Sequence, residues 1–94
     1  MRNVWTHGVW RVKPGREEEF VAAWRELVPL GTELGGGDPT LLHAEGGVFH
    51  SFGSWPNREA IERFRERLGP RLGAMNELLE GFEASTLDEV YPGD

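Results

Sequence analysis

A chain of 94 residues with 38% hydrophobic and 28% charged content describes one small globular domain rather than a disordered segment. Its net charge of −6 argues against nucleic acid as a partner, and no apolar run approaches a membrane span. The absence of cysteine excludes disulfides, thiol nucleophiles and thiolate metal sites. The start Met1-Arg2-Asn3-Val4-Trp5 lacks the apolar core of a signal peptide, so cytoplasmic residence is expected.

In chain order, β-branched and aromatic residues predict a first strand over Val4 to Val12, ended by Lys13-Pro14-Gly15. A first helix follows from about Arg16 to Val28. Glu17, Glu18 and Glu19 suit the positive end of its dipole, and Phe20, Val21, Trp24, Leu27 and Val28 form one apolar stripe. Pro29 and Gly31 are expected to stop it. Gly35-Gly36-Gly37-Asp38-Pro39 reads as a flexible loop without phosphate-loop character, because no Lys-Ser/Thr follows and no helix begins there.

A second strand is expected at Thr40 to Glu45 and a third at Val48 to Trp55, joined by Gly46-Gly47 as a two-residue hairpin turn. That turn would set His43 opposite His50. The second helix begins near Asn57, a plausible N-cap, and carries Ile61, Phe64 and Leu68 inward. Gly69-Pro70 is expected to break or kink it before a second helical piece over Arg71 to Glu80. A fourth strand from Phe82 to Val90 and a loose or partner-crossing tail, Tyr91-Pro92-Gly93-Asp94, complete the chain. I.e. residues 1–94 form a single domain in which a strand–Pro–acidic-helix unit occurs twice, the βαββαβ plan of a ferredoxin-like α+β sandwich with an antiparallel four-stranded sheet.

Such a sheet has helices on one face only. With the register above, the other face would carry Trp5, Val9, Leu41 and Phe52, an apolar patch larger than monomers usually expose. Face-to-face pairing of two sheets predicts a two-fold homodimer.

The segments Val12-Lys13-Pro14-Gly15-Arg16-Glu17-Glu18-Glu19-Phe20 and Phe49…Trp55-Pro56-Asn57-Arg58-Glu59-Ala60-Ile61 resemble the antibiotic biosynthesis monooxygenase family of the dimeric α+β barrel superfamily, and the resemblance spans nearly the whole chain. It implies oxygenation of an electron-rich aromatic small molecule, such as a polycyclic phenol, anthrone or quinol, without metal or flavin. It places the site between sheet and helices, with Trp55 matching the family's site Trp. Where characterised members have an Asn four residues before that Trp, this chain has Ser51, and where they have a Tyr six residues after it, this chain has Ile61. A sister group degrades haem with an Asn on the first strand, a Trp on the second helix and a later His. Here His7-Gly8 and Phe64 stand in those regions and no His follows His50, which argues against haem degradation.

Trp55 and Ser51 are therefore the candidate catalytic residues, as ring-stacking wall and hydrogen-bond donor, with Trp10, Phe49, Phe64 and Met75 as candidate substrate-binding residues. The small residues Thr6, Gly8, Ser51 and Gly53 among aromatics, Trp24 included, either leave room for a flat ligand or permit close helix-on-sheet packing. A non-catalytic ligand-binding module in the same cavity is the main alternative. His7, His43 and His50, with or without Glu45, either form a metal site or make polar contacts near a dimer interface. The alternating Arg and Glu residues from Arg58 to Arg71 read as solvated intrahelical pairs.

Overall fold

The computed structural model describes residues 3–92, so Met1, Arg2, Gly93 and Asp94, which belong to the predicted start and tail, lie outside the described residues. The element order is β1 (Val4–Val12), α1 (Glu17–Glu33), β2 (Gly37–His43), β3 (Val48–Trp55), α2 (Arg58–Asn76) and β4 (Leu79–Asp88). The strands form one antiparallel sheet in the order β2-β3-β1-β4. This is the expected βαββαβ sandwich, with both helices against one face. No helix among the described residues is long and apolar enough to cross a membrane.

Helix α1 runs through Pro29 to Glu33 instead of stopping there. Pro29 is exposed, so its missing N–H and its ring fall on the solvent side while Leu27 and Gly31 are buried on the other. Burial along that stripe offsets a proline penalty of about 3 kcal/mol. Gly31 gives clearance rather than termination: a β-carbon there would lie 3.2 Å from Cη2 of Trp55. At the start of α1, Arg16 donates a forked pair of hydrogen bonds to Glu19 (2.8 and 3.0 Å), and these hold the Glu19 carboxyl below its ordinary range.

Helix α2 is likewise continuous across Gly69-Pro70, both exposed, and ends at Asn76 rather than Glu80. Its start is as expected, with the Asn57 side chain accepting from the Ala60 N–H at 2.9 Å. Strand β4 begins at Leu79, before Gly81, with a register shift opposite Arg11/Val12 that lets Leu79 stay buried beside Val12. The basic stretch of α2 is only partly intrahelical. Arg63 pairs with Glu59, but Arg67 bridges to Glu33 on α1 and Arg58 to Asp88 on β4.

The largest departure from expectation is the β2–β3 register. His43 faces Phe49, Leu42 faces His50 and Leu41 faces Ser51, one residue off the predicted pairing. The connection has three residues, Glu45-Gly46-Gly47, closed by the Ala44 N–H donating to the Val48 carbonyl at 2.8 Å. Gly46 takes the left-handed conformation (φ 68°), while Gly47 packs so closely on the end of β1 that a β-carbon would collide with the Val12 carbonyl oxygen. Its own carbonyl accepts from the Val12 N–H at 2.8 Å. The Gly-Gly pair thus ties the hairpin to β1 instead of forming a two-residue turn. A one-residue slip turns every β2 side chain over. Leu41 and His43 therefore join the helix-covered face, and the exposed Leu42 takes the place assigned to Leu41 on the bare face. The predicted β2 start also moves back to Gly37, drawing part of the glycine loop into the strand.

The main core lies between sheet and helices, around Trp10, Val12, Phe20, Leu27, Phe49, Leu68 and Met75. Phe20 is fully buried, with its ring centroid 5.3 Å from Trp10 and 5.1 Å from Phe49. A smaller cluster of Trp55, Ala60 and Ile61 sits at the other end of the layer.

Candidate functional site

Between these two clusters the interlayer space is not filled. A cavity of about 350 Å³ opens there, within the range of small-molecule sites. Its floor is the covered face of β1 and β3, where Thr6, Gly8, Ser51 and Gly53 are too small to reach the helices. Trp24, Leu27, Val28 and Gly31 of α1 wall one side, and Ile61, Phe64, Leu68 and Leu72 of α2 the other. Phe82 and Ala84 of β4 and Arg65 stand at exposed positions of the lining.

The floor is built twice on one pattern. Strand β1 reads Thr6-His7-Gly8-Val9-Trp10 and β3 reads Ser51-Phe52-Gly53-Ser54-Trp55, each a hydroxyl residue, a glycine two on, and a tryptophan two further. Antiparallel pairing sets Gly8 opposite Ser51 and Thr6 opposite Gly53. Each indole then crosses to the other strand's hydroxyl. Trp10 Nε1 donates to Ser51 Oγ at 2.9 Å, and Trp55 Nε1 donates to Thr6 Oγ1 at 3.0 Å. Glycine keeps the crossing open. A β-carbon on Gly8 would lie 2.7 Å from Ser51 Oγ and 2.9 Å from Trp10 Nε1, whereas one on Gly53 would be 3.6 Å from the corresponding atoms of Thr6 and Trp55. The two buried indoles are further held by Phe82 against Trp10 (centroids 4.1 Å apart) and Phe64 against Trp55 (4.9 Å).

The structure thus gathers Trp55, Ser51, Trp10 and Phe64 around one cavity, with Trp24 beside them. Phe49 and Met75 are not in its lining. Phe49 is buried between Phe20 and His43 and borders a separate surface hollow, and Met75 belongs to the main core. Two lining residues escaped the sequence reading in their roles. Thr6 reads in the sequence only as a small residue, although the repeated hydroxyl-x-Gly-x-Trp pattern pairs it with Ser51. The charge pattern of α2 predicts Arg65 in a solvated intrahelical pair. It instead donates to Thr86 Oγ1 at 3.2 Å and is, among the described residues, the one formally charged side chain of the lining.

The three histidines do not converge on one site. His7 and His50 share the bare face, their Nε2 and Nδ1 atoms 3.0 Å apart, with His7 stacked on Phe52 at 4.7 Å. The slipped register puts His43 on the opposite face, stacked on Phe49 and bonded to the Gly46 carbonyl. Among the described residues no group of three His, Cys, Asp or Glu is placed to hold a metal ion, so the three-histidine arrangement is corrected.

No family model and no curated protein matches the chain. Solved structures do. A protein described as "putative antibiotic biosynthesis monooxygenase" from Nitrosomonas europaea superposes with a TM-score of 0.85 at 15% identity, over 98% of this chain and 94% of that one. The fold is the one these proteins share. A second protein so described, from Caulobacter crescentus CB15, gives 0.81 at 18% identity over 95% and 91% of the two chains. Rv0793 from Mycobacterium tuberculosis gives 0.83 at 16% identity over 98% and 99%. The resemblance read from the sequence therefore holds at the level of the ferredoxin-like α+β fold.

Proposed function

We propose that this protein is a cofactor-independent monooxygenase that binds a planar phenol, anthrone or quinol in the cavity between sheet and helices. The observation that carries the reading is an apolar space of about 350 Å³ bounded by two tryptophans, each fixed by a hydrogen bond to a hydroxyl on its floor. Trp10 and Trp55 form the wall for the ring system, with Phe64 beside Trp55. Ser51 and Thr6 donate hydrogen bonds to oxygen on the substrate as negative charge develops. The deprotonated substrate passes one electron to dioxygen, and the resulting radical pair combines to a peroxide. Loss of water from the peroxide leaves one oxygen atom in the product, and both reducing equivalents come from the substrate. The similarity in fold to proteins described as antibiotic biosynthesis monooxygenases supports this reading.

The reading includes a cytoplasmic homodimer formed through the bare sheet face, where Leu42 and Leu87 are 54% and 42% exposed. One observation favours the binding-module alternative: among the described residues the lining holds no carboxylate, and the ring of its one histidine, His7, is engaged on the opposite face. Oxygen uptake over a panel of quinols and anthrones separates the two. The enzyme reading expects uptake at stoichiometry with product and a loss of at least tenfold in Trp55→Phe, which keeps a ring but removes the N–H. Binding across the panel without uptake would establish the module instead.

A further inference from the structure

The first half of α2 carries Arg58, Arg63, Arg65 and Arg67, and all but one of them end on a carboxylate: Arg58 on Asp88, Arg63 on Glu59 and Arg67 on Glu33. Arg65 does not. The positions one turn before and after it hold Ile61 and Gly69, and no carboxylate among the described residues pairs with it. Its Nη2 donates instead to the neutral Oγ1 of Thr86 at 3.2 Å, which leaves its other donors without a protein partner among the described residues. Thr86 lies on the edge strand β4, opposite Thr6 of the cavity floor. A positive charge without a counter-charge therefore stands on the β4 side of the cavity, where Phe82 and Ala84 of the lining are also exposed.

We propose that the ligand is a hydroxylated aromatic acid whose ring carboxylate is held by Arg65 at the cavity mouth; this rests on the aromatic-binding reading above. The charge in question is one the ligand brings already ionised at neutral pH, remote from the oxygen that reacts. A guanidinium presents parallel N–H donors at the spacing of two carboxylate oxygens, so a carboxylate suits it better than the single hydroxyl of Thr86. Electrostatics favour this place. The chain's net charge of −6 disfavours an anion on the surface at large, whereas the described residues of the lining hold this cation and no carboxylate. Solvation agrees. An ionised carboxylate deep in the apolar space would lose its water, but Arg65 is exposed, so the carboxylate stays partly hydrated while the rings enter. Surface ion pairs are weak partly because two long side chains must be ordered, and the bond to Thr86 orders Arg65 beforehand.

A hydroxynaphthoate with its carboxyl group on the ring remote from the hydroxyl, and the matching carboxamide, test this by fluorescence titration at neutral pH. The acid is expected to bind more tightly than the amide by about fivefold or more, and added salt should shrink that preference. Arg65→Gln keeps an N–H donor for Thr86 but removes the charge, and should bring the two ligands within about twofold by weakening the acid. Arg65→Lys should restore only part of the preference, since a point charge lacks the fork. Arg67→Gln removes the same charge from an ion pair outside the lining and should leave the preference unchanged. Equal binding of acid and amide, or a preference that survives Arg65→Gln or is lost equally in Arg67→Gln, would overturn the proposal and leave the aromatic-binding reading standing. Failure of both ligands to bind would overturn that reading as well.

Discussion

On the covered side of the sheet, Thr6, Gly8 and Trp10 meet Ser51, Gly53 and Trp55 in reciprocal hydrogen bonds beneath two helices. One residue along the same strands, Trp5, His7 and Val9 stand with His50 and Phe52 on a face that no described element covers. Both faces mix aromatic and polar groups, but the polar groups are used differently. On the covered face each hydroxyl is held by a donor from another strand, which fixes large rings at the edge of an unfilled space. On the bare face the polar groups pair with each other, His7 with His50 and Trp5 with Glu89 at 2.8 Å, and leave leucines exposed. The covered face should therefore govern stability and ligand binding, and the bare face association.

Phe20→Ala tests this at its strongest. Removing a fully buried ring that touches Trp10 and Phe49 should cost about 3–5 kcal/mol, enough to lower Tm by well over 10 °C in a domain of this size. A fall of only a few degrees by calorimetry would show that the covered core is not the main source of stability. Gly8→Ala should cost about 1–3 kcal/mol, because the new methyl displaces the Trp10–Ser51 contact. It should also abolish binding of quinols and anthrones in the cavity. Gly53→Ala, with ordinary van der Waals clearance, should stay within about 0.5 kcal/mol in chemical denaturation. Equal effects at the two glycines would contradict the difference in clearance. Leu42→Asp on the bare face should change monomer stability least, by about 0.5 kcal/mol or less, yet, if the proposed sheet-face dimer forms, shift sedimentation from dimer to monomer. An unchanged dimer would move the interface elsewhere.

Much of the architecture was legible in the sequence because local signals and burial agreed. Strands β1 and β3 have the expected bounds, Asn57 caps α2, and the alternation along both strands puts Thr6, Gly8, Ser51 and Gly53 on one face. Errors arose where a tertiary contact outweighed local chemistry. Pro29 and Pro70 sit inside helices since their rings face solvent and packing holds the opposite side. Gly46-Gly47 resembles a two-residue turn, but the docking of Gly47 on Val12 lengthens the loop and inverts β2. The cavity's aromatic members were legible as residue types. The crossing of indoles between strands was not, because it depends on which residues oppose one another. Its trace, hydroxyl-x-Gly-x-Trp in both strands, becomes meaningful once β1 and β3 are paired.

That trace has a consequence for the outcome of any reaction in the cavity. Two like motifs on antiparallel neighbours are related by a local two-fold axis, so a ring entering either way round meets a hydroxyl, a glycine and an indole in the same sequence. The floor alone cannot tell the two ends of a symmetrical ligand apart. Orientation, and with it the ring position exposed to attack, must come from what breaks the pseudosymmetry: a methyl group on Thr6 that Ser51 lacks, the tighter passage at Gly8, and the single positive charge of Arg65.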